Sequence, residues 1–238
     1  MNWKTLRTIV FRGFALLAAL GAAWMAQAQD AKKPYPNMAP LDQYLIADRN
    51  AEITLARSAA PESISRDAEI VVLGRHGYET AVKGKDGFVC IVERSWAMDI
   101  DDPDFWNPKM RAPICYNAPA ARFYVAVMKK KTEWVLAGMS PIRISQEINA
   151  AFDKKELQPV EPGAMCYMMS KQGYLNDRDG HWHPHVMFFE PLTEPAAWGA
   201  SLPGSPILGF KDTSNRQTVF LIPVPEWSDG TAAAMDEH

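Results

Sequence analysis

The sequence predicts an α+β domain: a largely antiparallel sheet of about five to seven strands, with an N-terminal helix and a central pair of helices. Three observations predict it. Apolar residues recur at helical spacing over 40–60 and 120–155. β-Branched and aromatic runs fall at 69–92 and again beyond 164. These blocks are segregated rather than alternating, which disfavours βαβ units and a parallel sheet.

The first element is a leader. Lys4, Arg7 and Arg12 precede an uncharged apolar run from Phe14 to Ala23, and Ala26-Gln27-Ala28 follows. This is the pattern of a secretory signal peptide over 1–28. The alternative, a retained anchor, is disfavoured because the apolar run is shorter than the roughly 20 residues that span a bilayer. Cleavage after Ala28 implies a periplasmic or secreted protein with no membrane attachment. Residues 29–238 then form a single domain, with 29–39 and 227–238 as flexible ends. Hydrophobic residues make up 47% of the chain, enough for a core, and the formal net charge of -3 argues against a nucleic-acid partner.

From Pro40 to about Ala60, Leu41, Tyr44, Leu45, Ile53, Leu55 and Ala56 fall near helical spacing, with Asp42, Arg49 and Glu52 between them, and Pro61 ends the run. Glu69-Ile70-Val71-Val72-Leu73 reads as a strand bounded by Gly74. Tyr78 to Lys83 alternates less cleanly. Asp86-Gly87 is a hairpin signal before Phe88-Val89-Cys90-Ile91-Val92, which is apolar on both faces and belongs in the sheet interior. Trp96 to Pro113 reads as a loop. Asn117 with Pro119 starts a helix over 120–137 whose solvent side carries Lys129-Lys130-Lys131, and Gly138 ends it. Ser140-Pro141 caps a second helix to Lys155, with Ile144, Ile148 and Phe152 every four residues. Strands follow at 164–170, through the histidine stretch, at 206–210 and at 217–224, with a helical turn at 194–199.

Cys90, Cys115 and Cys166 are the three cysteines. An oxidising compartment favours one pair. The expected pair is Cys90 with Cys115, leaving Cys166 as a buried thiol among Met165, Tyr167, Met168 and Met169.

Asp179-Gly180-His181-Trp182-His183-Pro184-His185 is the first candidate site. On a strand, His181, His183 and His185 would share a face, with Asp179 in phase. Imidazoles with an oxygen donor suit a transition metal such as zinc. A straight strand separates such residues by about 6–7 Å each step, and Pro184 interrupts the run. The rings could equally pack and hydrogen-bond. His183-Pro-His185 followed by Glu190 resembles the first cupin motif, H-x-H-x4-E, over this stretch only; the flanking glycines are placed differently, and only His238 remains for a second motif. Arg75 and His76 lie between Gly74 and Gly77, where Arg75 could hold a carboxylate or phosphate and His76 could act as an acid–base group; Glu190 is a further ligand candidate. The four aspartates of 99–104 lack the glycine and distal glutamate of a calcium loop.

No nucleophile elbow, zincin, Cys-x-x-Cys, phosphate-loop or dinucleotide motif occurs. Two readings remain: a metal-binding exported protein, or a non-catalytic one that binds a small molecule or protein through a sheet face and the Phe105-Trp106 loop.

Overall fold

The computed structural model describes residues 34–234. The signal peptide over 1–28, its cleavage site and the extreme C-terminus lie outside the described residues.

The fold is α+β. Eight strands make one sheet: β1 (Glu69–Gly74), β2 (Gly77–Val82), β3 (Val89–Glu93), β4 (Ala112–Tyr116), β5 (Ala164–Met168), β6 (His185–Pro191), β7 (Leu208–Asp212) and β8 (Gln217–Pro223). Their order is β2-β1-β3-β4-β5-β6-β8-β7, one more strand than the upper expectation. Every neighbouring pair is antiparallel except β1 with β3.

The apolar runs alternate between two cores because successive side chains point to opposite faces. Ile70, Val72, Cys90 and Val92 meet Ala56 of helix α1 (Arg49–Arg57) on the back. Val71, Leu73, Ile91 and Ile114 meet two helices on the front, α3 (Ala118–Leu136) and α4 (Pro141–Asp153). A single turn, α2 (Glu62–Ser65), follows α1. Asn117 caps α3 by accepting from the Ala120 N–H, and Ser140 caps α4 by accepting from the Arg143 N–H.

Several local expectations need correction. The helix expected over 40–60 is divided into a 3-10 turn at Leu41–Gln43 and α1, because Asp48 accepts from the Asn50 N–H and starts a new helix. The hairpin turn is Arg75-His76, where Gly74 pairs Gly77 and Gly77 takes φ 113°. The Asp86-Gly87 turn instead serves the crossover that puts β3 parallel to β1. Strand β4 was hidden by Pro113. The proline is tolerated because β4 has β5 beside it only at Cys115 and Tyr116, so Pro113 faces no partner on that side. The chain beyond β8 is not a free tail within the described residues: Glu226 bridges Ala232, and the Trp227 N–H donates to the Thr231 carbonyl.

The disulfide joins Cys90 and Cys115, which are register partners on β3 and β4, and Cys166 is free and buried. Such a bond is compatible with an extracytoplasmic, oxidising location.

Glu52, read as a polar spacer in α1, is instead buried against Arg94 at the end of β3. The Arg94 guanidinium donates to Glu52 Oε1 at 2.9 Å, to the Tyr44 carbonyl at 2.7 Å and to the Val92 carbonyl. Glu52 Oε1 also accepts from the Leu73 N–H at 3.0 Å. The pair therefore ties α1 to β1 and β3. Glu52→Ala is expected to cost roughly 3–5 kcal/mol, because it strands a buried guanidinium. Urea denaturation measures it; Glu62→Ala, which removes an exposed pair with Arg66, should leave the midpoint nearly unchanged.

Candidate functional site

The front face is open between α3 and the strands from β4 to β7. A cleft of about 380 Å³ lies there. Its floor is apolar, with Ile114, Met168, Met187, Phe189 and Val219 from successive strands. Its polar groups come from both sides. Glu93 ends β3 in phase with half-buried Val89 and buried Ile91, so it points to the front. Tyr124, Val127, Met128 and Lys131 recur on α3 at helical spacing and form the wall. Asp212, Asn215 and Gln217 come from the β7–β8 turn, and Asp99 from the loop after β3.

These groups are networked. The Tyr116 hydroxyl donates to Glu93 Oε1 at 2.8 Å. The Tyr116 and Tyr124 rings stack, with centroids 4.9 Å apart and planes 5° from parallel. The Gln217 amide donates to the Tyr124 oxygen and to Asp212 Oδ2 at 2.9 Å. Asn215 Nδ2 donates to the same Asp212 oxygen at 2.6 Å. The carbonyl oxygens of Asn215 and Gln217 are buried without a partner among the described residues.

Lys131 is the residue that sequence reasoning missed. The lysine run suggests a solvated face, but Lys131 is only 7% exposed. Its side-chain nitrogen makes no hydrogen bond or ion pair among the described residues. The available signal was its spacing, seven residues after Tyr124, four after Val127 and three after Met128. Burial pushes its ammonium pKa down, against the opposing pull of Glu93, Asp212 and Asp99. Burial pushes the Glu93 carboxyl up, against the opposing effects of the Tyr116 hydroxyl and Lys131. Each group is driven toward its neutral form. Asp99 is also raised, chiefly by burial and then by Asp212. The Cys166 thiol is driven well up by burial, which makes it a poor nucleophile.

The expected site residues lie elsewhere. His181 and His183 fall before β6, and only His185 is on the strand, since Pro184 precedes it. Trp182 is buried and donates to the Met168 carbonyl at 3.0 Å. It lies so close over Gly173 that a Cβ there would sit 2.4 Å from its ring. With Trp182 turned inward, His181 and His183 are exposed on either side of it. His181 meets the Trp227 ring edge-on at 5.8 Å. His185 is buried, with Nδ1 2.7 Å from the His183 carbonyl, and burial lowers its pKa. Asp179 is engaged by Arg178 and Asn176, which hold its carboxyl well below the usual range. Among the described residues, no group of three or more His, Cys, Asp or Glu side chains is arranged to hold a metal.

Arg75 pairs with Asp42 at 2.6 Å on the exposed hairpin tip, and His76 beside it is exposed. Glu190 is half-buried and, one residue from Phe189, faces the back of the sheet. Phe105 and Trp106 are buried and packed edge-to-face at 4.7 Å, so this loop is core rather than a docking surface. Compared with protein-family models, curated proteins and solved structures, the chain matches none.

The pH dependence of stability tests the burial of Glu93. A carboxyl whose folded pKa is raised binds its proton more tightly when folded. Its stabilising contribution is therefore complete below the unfolded pKa of about 4.3 and falls as pH rises through the folded value. Relative to wild type, Glu93→Gln is expected to gain stability between pH 4 and pH 8 in urea melts. A difference that stays constant with pH would show Glu93 to be solvated.

Proposed function

We propose that this chain is an exported protein that binds a small, neutral, amphipathic molecule in the front cleft. The observation that carries the reading is the cleft itself: an apolar floor with a few convergent polar groups, in the size range of small-molecule sites. The Cys90–Cys115 bond and the leader pattern support export.

Charge narrows the ligand. Glu93, Asp99, Asp102 and Asp212 line the cleft with Lys131 and Lys211. Lys211 is committed to Glu194 at 2.5 Å. An anion would enter against the carboxylates of Asp99, Asp102 and Asp212, while burial of Lys131 and Glu93 favours their neutral forms and suits an uncharged head group. A neutral head group with an acceptor oxygen satisfies Lys131, whose side chain has no partner among the described residues.

Thermal unfolding with three matched probes tests this. Benzyl alcohol at a hundred times its Kd should raise the midpoint by about 5–10 °C. Benzoate and benzylamine should do much less. Met187→Trp, which fills the cleft from β6, should abolish the benzyl alcohol shift. An equal shift in that variant, or a preference for benzoate, would overturn the reading.

A further inference from the structure

Lys131 is unusual among the described lysines. It is buried, lines the cleft, and has no hydrogen-bond or ion-pair partner among the described residues. A buried ammonium left unpaired is costly, because desolvation disfavours the charged form. Three carboxylates, Glu93, Asp99 and Asp212, act on it without forming a contact ion pair. Tyr116 holds Glu93 Oε1 at 2.8 Å and so fixes the carboxyl beside the same cleft.

We infer that Lys131 captures an aldehyde or ketone with an apolar body as an imine, with Glu93 moving the proton. The inference rests on the reading that the cleft binds a small neutral molecule, and it names that molecule's reactive group. A carbonyl is neutral and presents an acceptor to Lys131, while its apolar body suits the methionine-rich floor. Desolvated lysines serve as nucleophiles toward carbonyls because the free amine carries the lone pair.

The step balances with the groups present. The neutral Lys131 amine forms a C–N bond to the carbonyl carbon, and the carbonyl π pair moves to oxygen, which takes the Glu93 proton. The Glu93 carboxylate removes one proton from nitrogen, giving a neutral carbinolamine, and returns it to the hydroxyl. Water leaves as the nitrogen lone pair closes the C=N bond. The product is an iminium facing the Glu93 carboxylate. Burial, which favours protonated Glu93 and neutral Lys131, favours the reactants' proton arrangement. Asp99 and Asp212 then stabilise the positive charge of the iminium, which explains acidic groups gathered round a lone lysine.

The test incubates the protein with benzaldehyde and sodium cyanoborohydride, which delivers hydride to the iminium carbon and fixes a secondary amine. Peptide mass spectrometry then locates it. Lys131 should be labelled ahead of surface lysines such as Lys85 and Lys154. Labelling at this position should be lost in Lys131→Met and slowed in Glu93→Gln. Excess benzyl alcohol should protect Lys131 in the wild-type protein, which keeps the test decisive if Lys131→Met fails to fold. Label spread evenly over surface lysines, or unaffected by benzyl alcohol, would overturn the inference. A benzyl alcohol shift in melting without a Lys131 adduct would overturn the imine alone; loss of both would overturn the binding reading as well.

Discussion

The sheet is wider than the helices that cover it. Eight strands at about 4.8 Å spacing span roughly 34 Å, while two packed helices of about 10 Å diameter cover little more than half of that. α3 packs over β2, β3, β4 and β5, and α4 packs on α3. Toward the β7 edge the helix cover thins: Tyr124 of α3 still packs on Phe189 of β6, but Leu208 and Phe210 on edge strand β7 are each 51% exposed. The cleft is the boundary between the covered and uncovered parts of one face. Its shape follows from strand number and helix placement.

Two buried basic side chains are treated differently by the fold. Arg94 is fully buried and meets Glu52 and two carbonyls, so its desolvation is offset by contacts that also fix α1 to the sheet. Lys131 is nearly as buried and has no such contacts among the described residues. A fold under selection for stability alone would place methionine or leucine there, beside Met128 and Val127. A lysine at that position weakens the fold, and such local costs concentrate where function is carried. Glu93 belongs to the same account: it ends an otherwise apolar strand face and turns its carboxyl into the cleft.

Much of the scaffold was legible because its signals are local. The runs at 69–73 and 88–92 are β-branched and Ser140-Pro141 marks a helix start, while the Cys90–Cys115 pair followed from the oxidising compartment that the leader implies. β4 was not legible, because Pro113 is excluded from central strands unless the neighbouring strand has already ended, which is a tertiary fact. The strand expected through the histidine stretch starts late for a related reason. A shared face for His181, His183 and His185 requires one strand through Pro184, whereas the strand begins only at His185. Lys131 was hidden by composition. Three consecutive lysines suggest one solvated face, yet helical steps of 100° put the third with Tyr124, Val127 and Met128. Phase against the apolar residues, rather than charge density, was the informative signal there and at Glu93.

The account's central claim is that the front cleft is a ligand site. Methyl resonances of methionine test it most directly, because Met98, Met110, Met128, Met168 and Met187 line the cleft while Met38, Met139, Met165 and Met169 do not. In a protein labelled with 13C at the methionine methyls, titration with benzyl alcohol should shift the five cleft signals along one saturable curve and leave those four in place. Equal shifts in both sets, or shifts confined to the four outside, would contradict it.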